Sequence, residues 1–476
     1  MKNNELQKRY GLFMAICMVV GIVIGSGVFF KAQNILGHTG GNMWLGILSW
    51  LIGGIVMVLC AYTFANFATK FVKVNGVVDY AEAIVGGRYA YMTGWFVSTI
   101  YYPAMTSVLA WVSARYTLEL FGAPDAVTSG LTMSLGAFYL GLAYVVNMIS
   151  PRIAGKFQVS ATVIKLIPLA IMAVVGIIVG LVNGNTAAAF AHEGVAAVGG
   201  GASGVFKGIA AAAFAYEGWI IATSINAETR NPKKNLPRAL VGGTILIVIV
   251  YIVYFVGLTG GASVDVLIND GATFAFTGLF GDVAGTILNV FVVISCLGTL
   301  NGLMLANTRA LYAVAVRGQG PAPKVLSQLD PATNMPSNSG VLALGICAAW
   351  FFYFYAANLT TPVFGLFSFD SSELPIITIY AMYVPIFLLF IIKEGKKDIL
   401  RNAVMPGLAL VASLFMVLVA ILAHGVFPYQ DAAAVGKFSF PVLFYLIVFA
   451  VIMGFGALFY RKNATSSLSE RTDDEE

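Results

Sequence analysis

Twelve long apolar runs, separated by short segments that hold most of the basic residues, leave this chain of 476 residues few ways to fold. A membrane-spanning helix needs about 20 mainly apolar residues. Runs of that kind lie at 11–36, 43–69, 89–121, 131–149, 157–182, 204–228, 238–260, 283–312, 340–357, 364–392, 403–425 and 438–460. Only 10% of the residues are charged, against about 25% in soluble globular domains. That excludes a soluble enzyme, a disordered scaffold and a nucleic-acid-binding domain. Backbone polar groups in lipid must be satisfied within the segment, so the expectation is an all-α membrane protein of twelve transmembrane helices. The 51 glycines suit helices packed closely in a bilayer.

The lysines and arginines support this count. With the N-terminus inside, the inside segments hold Lys2, Lys8 and Arg9; Lys70, Lys73 and Arg88; Arg152 and Lys156; Arg230, Lys233, Lys234 and Arg238; Arg317 and Lys324; Lys393, Lys396, Lys397 and Arg401; and Arg461, Lys462 and Arg471. Only Lys31, Lys207 and Lys437 fall outside, while Arg115, Lys165 and Arg309 lie within spans. Such asymmetry predicts both termini on the cytoplasmic side of the cell membrane. The apolar run after Arg9 continues past Gly25-Ser26-Gly27 to Leu36, beyond the 7–15 residues of a signal-peptide core, and reads as an uncleaved first span. Residues 463–476 are polar, end in Asp473-Asp474-Glu475-Glu476, and read as a disordered tail.

Cys17, Cys60, Cys296 and Cys347 all sit inside apolar runs, where a free cysteine behaves as a small hydrophobe. The three histidines are far apart, and His192-Glu193 does not open an HExxH pattern. No metal, cofactor or catalytic residue is proposed, and no enzyme.

Two spans carry interruptions. The first contains Gly21-Ile22-Val23-Ile24-Gly25-Ser26-Gly27, and the sixth contains Phe214-Ala215-Tyr216-Glu217-Gly218-Trp219. Glycine-broken segments at matching places in two halves point to an inverted-repeat transporter with its substrate at the breaks. Unwound backbone at membrane depth is tolerated where it lines a cavity or is buried in protein. It presents N–H groups at one half-helix end and carbonyls at the other, a receptor for a zwitterion. Gly21 and Gly25 alone also fit a GxxxG packing motif; Gly27 and the matching interruption in span six favour the site.

Together with these two stretches, Asn231-Pro232-Lys233-Lys234-Asn235-Leu236-Pro237, Lys165-Leu166-Ile167-Pro168, Ser295-Cys296-Leu297-Gly298-Thr299-Leu300-Asn301 and Arg317-Gly318-Gln319-Gly320-Pro321 resemble the amino acid–polyamine–organocation (APC) superfamily. The nearest branch is that of the L-amino acid transporters, including bacterial exchangers. The resemblance covers residues 10 to about 325. It implies a five-plus-five inverted repeat of the leucine-transporter type, with spans 1–5 in 11–182, spans 6–10 in 204–392 and two further helices in 403–460, working by alternating access. It further implies sodium-independent exchange of small neutral amino acids in a bacterial membrane. The substrate carboxylate would lie on amides around Gly25, Ser26 and Gly27. Its amino group would lie on carbonyls of Val23, Phe214 and Glu217, beside Ala215 and Gly218, with the Phe214 ring as outer gate.

An ionisable residue within a span is costly and marks a functional site by default. Lys165 is such a residue, two turns inside its span, where mere snorkelling is the weaker account. By resemblance its ammonium stands in for an ion of sodium-coupled relatives, bridging Gly21 to Ser295 or Thr299, which share a helix face. Burial disfavours a charged lysine, so a proton-coupled role stays open. Tyr251 matches a family tyrosine and equally suits a core. The Glu217 carboxylate could favour a cationic or polar substrate, carry a proton, or cap free backbone. Asp370 and Glu373 read as lining a solvated vestibule. Ile220 and Asn66 depart from the family pattern, where a polar residue and a glutamate are expected. The 122–130 loop has no cysteine, so no disulfide-linked accessory subunit is expected. A membrane-embedded enzyme, a two-domain rocking carrier and a channel each lack their sequence marks.

Overall fold

The computed structural model describes residues 11–25, 27–70, 76–123, 127–192, 201–221, 230–359 and 363–462. Ser26, the N-terminal segment 1–10, the end of the sixth predicted span and the tail 463–476 lie outside the described residues. Among the described residues every regular element is helical. In chain order these are α1 (Leu12–Val23), α2 (Gly27–His38), α3 (Met43–Lys70), α4 (Val77–Ile84), α5 (Gly87–Phe96), α6 (Tyr102–Leu120) and α7 (Gly130–Ile149). There follow α8 (Pro151–Ile171), α9 (Ile177–Val182), α10 (Asn185–Ala191), α11 (Ala202–Tyr216), α12 (Pro232–Leu258), α13 (Val264–Asn269) and α14 (Ala272–Ala315). The last are α15 (Pro323–Leu326), α16 (Ser337–Phe354), α17 (Leu374–Glu394), α18 (Met405–Ile421), α19 (Phe427–Ala433) and α20 (Pro441–Ala457).

Among the described residues, eight helical segments are long and apolar enough to cross a membrane: Met43–Lys70, Gly130–Ile149, Ile153–Val182, Lys233–Leu258, Ala272–Ala315, Ser337–Leu359, Leu374–Lys397 and Ile399–Ala433. The other four predicted spans differ for local reasons. In place of the first predicted span stand two helices of 12 residues each, Leu12–Val23 and Gly27–His38. The sixth predicted span starts as the 15-residue α11 and leaves helical geometry after Tyr216. Helix α20 has 17 residues. Residues 89–120 are helical throughout, through a π turn at Val97–Tyr101. Pro103 causes that turn, because it cannot donate to the carbonyl four residues back. The orphaned carbonyl of Thr99 accepts instead from the Trp350 indole N–H, at 2.9 Å.

The chain forms two compact units, each drawing on both halves of the sequence. The first comprises residues 1–76, 161–295 and 376–437. Its centre is aromatic: Trp50, Tyr216, Tyr251, Phe64, Trp219 and Tyr383 are all fully buried. At one end Asn66 donates to the Arg401 carbonyl (2.9 Å) and to Asn402 Oδ1 (3.0 Å), while Lys70 meets Glu394 at 3.2 Å. An amide at position 66 thus ties α3 to the start of the Ile399–Ala433 segment, a task for which a carboxylate has no donor.

The second unit comprises residues 77–160, 296–375 and 438–476. In it Asn147 Nδ2 donates to Asn301 Oδ1 at 2.9 Å, and Asn301 Nδ2 to the Ala154 carbonyl at 3.3 Å, joining α7, α8 and α14 through buried amides. Tyr91 and Trp95 donate to backbone carbonyls of Gly456 and Ile452 on α20. Asp370, partly exposed, accepts at Oδ1 from the backbone N–H of Ser372 and Glu373 and from the Ser372 hydroxyl, at 2.6–3.0 Å, in the turn that leads into α17. The expectation of a solvated lining is corrected for Glu373 alone. Glu373 is buried at 5% exposure, not part of a solvated lining.

Candidate functional site

The last four carbonyls of any α-helix lack intrahelical partners, so the ends of α1 and α11 show where the sequence spends its polar groups. Helix α1 stops at Val23. Ile24 is extended (ψ 103°), and its N–H still reaches the Val20 carbonyl at 2.8 Å. The next carbonyl, Gly21, accepts from Lys165 Nζ. The Val23 carbonyl accepts from the Tyr251 hydroxyl at 3.2 Å. Helix α11 stops at Tyr216; Glu217 is extended (ψ 159°), with its N–H on the Phe214 carbonyl at 3.3 Å. Gly218 follows at φ +106°, a conformation open to glycine at little cost and to other residues only with strain.

Tyr251 therefore joins two helix ends, since its hydroxyl also reaches the Ala215 carbonyl at 3.1 Å. The ring is fixed by packing. It stacks on Tyr216 (5.2 Å, 21°) and meets the edge of Trp50 (5.4 Å, 73°). Tyr216 in turn donates to the Trp50 carbonyl at 3.0 Å. Trp50 on α3 and Tyr251 on α12 thus form a rigid floor beneath the ends of α1 and α11. A carbonyl oxygen has two lone pairs, so Val23 and Ala215 each keep one acceptor site. Removing the Tyr251 hydroxyl strips a donor from buried carbonyls, which costs about 1–3 kcal/mol. Tyr251→Phe should lower the melting temperature by an amount that matches this loss; an unchanged melting temperature would refute the bridging role.

The other face of the site is the start of α2. A Cβ at Gly27 would stand 2.7 Å from the Ala215 Cα, so glycine is what allows α2 and the end of α11 to touch. The first N–H groups of α2 have no intrahelical acceptor and carry the positive end of the helix dipole. The Phe214 ring, 5% exposed, meets Phe30 edge-on at 6.4 Å. Glu217, at 3% exposure, and Trp219 are buried, the indole packing on Phe64 (5.6 Å) and Tyr383 (6.1 Å).

Lys165 is buried on α8, and Thr162, one turn earlier on the same face, packs its methyl against Gly21. A cation at the C-terminal end of α1 also meets the negative end of that helix dipole. Val23, Gly25, Gly27, Phe214, Ala215, Glu217, Gly218, Gly21, Lys165, Tyr251 and the buried Ser295 all belong to the first unit; Thr299 belongs to the second. Sequence reasoning gave Lys31 no role in the site; it is buried at 1% exposure. Its signal was its spacing, four residues and so one turn after Gly27. It also missed the Trp50–Tyr216 floor, whose partners lie in different predicted spans.

The amino acid permease family model matches residues 10–459, nearly the whole chain. The chain belongs to the amino acid permease family. This permease is 30% identical over 426 residues to the serine/threonine exchanger SteT of Bacillus subtilis (strain 168), covering 87% of this chain and 91% of that protein. It is 27% identical over 437 residues to mouse b(0,+)-type amino acid transporter 1, covering 90% and 86% of the two chains. Over 341 residues it is 28% identical to the human large neutral amino acids transporter small subunit 2, covering 70% and 62%. The resemblance to the APC superfamily drawn from the glycine and lysine motifs agrees with these relatives.

Proposed function

We propose that this permease exchanges small neutral L-amino acids across a bacterial cell membrane by alternating access, without sodium. Its twelve spans would form a five-plus-five inverted repeat with two further helices, both termini cytoplasmic, α1 and α2 being halves of the first span and α11 the start of the sixth. The reading is carried by one observation: the carbonyl ends of α1 and α11 meet at the Tyr251 hydroxyl, while the amide end of α2 rests on Ala215 through Gly27. The substrate carboxylate lies on the first amides of α2, at Gly27; Ser26, expected to add its own, lies outside the described residues. Its ammonium lies on the Val23, Phe214 and Glu217 carbonyls, and the Phe214 ring closes over it. The Lys165 ammonium on Gly21 holds α1 to α8 permanently, in place of a dissociable cation. The name and overall likeness of the SteT relative support serine and threonine as first substrates to try.

The test is counterflow in reconstituted vesicles. Uptake of labelled L-serine should require unlabelled L-serine inside and should be unchanged when choline replaces sodium. Equal uptake into empty vesicles, or uptake abolished by sodium removal, would contradict the proposal. The burial of the Glu217 carboxyl supports a second reading, transport of cationic substrates or proton coupling at the same site. Lysine outcompeting serine, or uptake driven by an imposed pH gradient into empty vesicles, would favour it. No accessory subunit linked by a disulfide is needed in either reading.

A further inference from the structure

We propose that Lys31 is a latch on the Phe214 ring, a positioning residue whose ammonium holds the gate closed over bound substrate. The inference rests on reading Phe214 as the outer gate of an exchanger. Lys31 is 1% exposed, and a buried ammonium within an apolar segment is costly unless its surroundings replace water. Here its Nζ lies 5.1 Å from the centroid of the Phe30 ring and 5.1 Å from that of Phe214. The two rings stand nearly perpendicular, at 80°. Both are within the ~6 Å at which a ring face attracts a cation, an attraction that grows as water is removed.

The placement follows from the helix. Gly27 and Lys31 are one turn apart on the same face of α2. That face touches two successive residues at the end of α11, Gly27 resting on Ala215 and Lys31 on Phe214. Phe30 and Lys31 travel together on α2, whereas Phe214 belongs to α11. Swinging the Phe214 ring away from the substrate therefore breaks the Lys31 contact and leaves the Phe30 contact whole. The latch slows escape of bound substrate without touching it.

The experiment measures counterflow of labelled L-serine in proteoliposomes for the wild type, Lys31→Met, Lys31→Arg, Phe214→Leu and the Lys31→Met/Phe214→Leu double variant. Lys31→Met keeps the side-chain length and removes the charge; it should raise KM about tenfold with kcat equal to or above wild type. Lys31→Arg keeps a cation able to sit on the ring and should restore KM to within about threefold. Phe214→Leu should raise KM on its own, and adding Lys31→Met to it should change nothing further. An unchanged KM in a folded Lys31→Met protein would overturn the latch. So would a Lys31→Met effect that persists in the Phe214→Leu background, since Lys31 would then act on the substrate or the fold. If Lys31→Met does not fold, Phe214→Leu and Lys31→Arg decide: a wild-type KM in Phe214→Leu overturns the latch. Wild-type vesicles that exchange no amino acid would overturn the exchanger reading itself, and the latch with it.

Discussion

A single methyl group at position 27 should abolish exchange. The Cβ of Gly27→Ala would lie 2.7 Å from the Ala215 Cα, and a backbone atom cannot rotate away as a side chain does. Helix α2 must instead withdraw from the end of α11, carrying with it the amides proposed to hold the carboxylate. Overpacking of this kind costs about 1–3 kcal/mol of stability, which a folded membrane protein can survive. The effect on transport is larger, because a displacement of about 1 Å between binding groups can cost on the order of 100-fold. Gly27→Ala should therefore reach the membrane and elute as a monodisperse peak, yet show counterflow reduced at least about 100-fold. Gly27→Val, with a branched side chain, should lose saturable binding altogether. Saturable serine binding with wild-type affinity in either variant would place the receptor elsewhere.

Lys165→Ala should be nearly as damaging, for a different reason. The Gly21 carbonyl is one that α1 cannot satisfy itself, because the chain leaves helical geometry after Val23. Lys165 supplies the donor and adds a positive charge at the negative end of the α1 dipole. Hydrogen bonds to charged groups are worth about 1.5–3 kcal/mol net. If the α1–α8 tie must persist through every step of transport, that loss corresponds to a rate decrease of roughly 10- to 100-fold. Lys165→Met fills the same length without the charge and should fail equally in transport while folding at least as well as Lys165→Ala. Wild-type uptake in Lys165→Met, measured with matched protein in the vesicles, would show that the ammonium is dispensable.

The sequence made some of this legible because local chemistry decides it. Gly25 and Gly27 foretell an end of regular helix near Val23, and Glu217-Gly218 foretells one after Tyr216, since a residue at φ +106° cannot continue a helix. Lys165 stood out because a charge in an apolar run needs a reason. That α1 and α2 are two halves of one span belongs to the proposal and not to the local pattern. Other features depend on contacts between distant segments. The Tyr251 hydroxyl serves carbonyls 228 and 36 residues away, so sequence left it undecided between core and site. Lys31 drew no notice because a charge census counts residues by distance along the chain, not by which helix face they occupy. Glu373 was given to a vestibule because its span was drawn from Phe364, whereas α17 begins at Leu374 and Glu373 is buried in the turn just before it.

The central claim is that main-chain dipoles at the ends of α1, α2 and α11 grip both charged ends of an amino acid. Competition against labelled L-serine counterflow tests it directly, using ethanolamine, which lacks the carboxylate, and glycerate, which lacks the amine. The account predicts that unlabelled L-serine competes fully and that neither analogue competes at a hundredfold excess over serine. Competition by ethanolamine or glycerate at concentrations similar to serine would show that one end of the molecule suffices, and would contradict it.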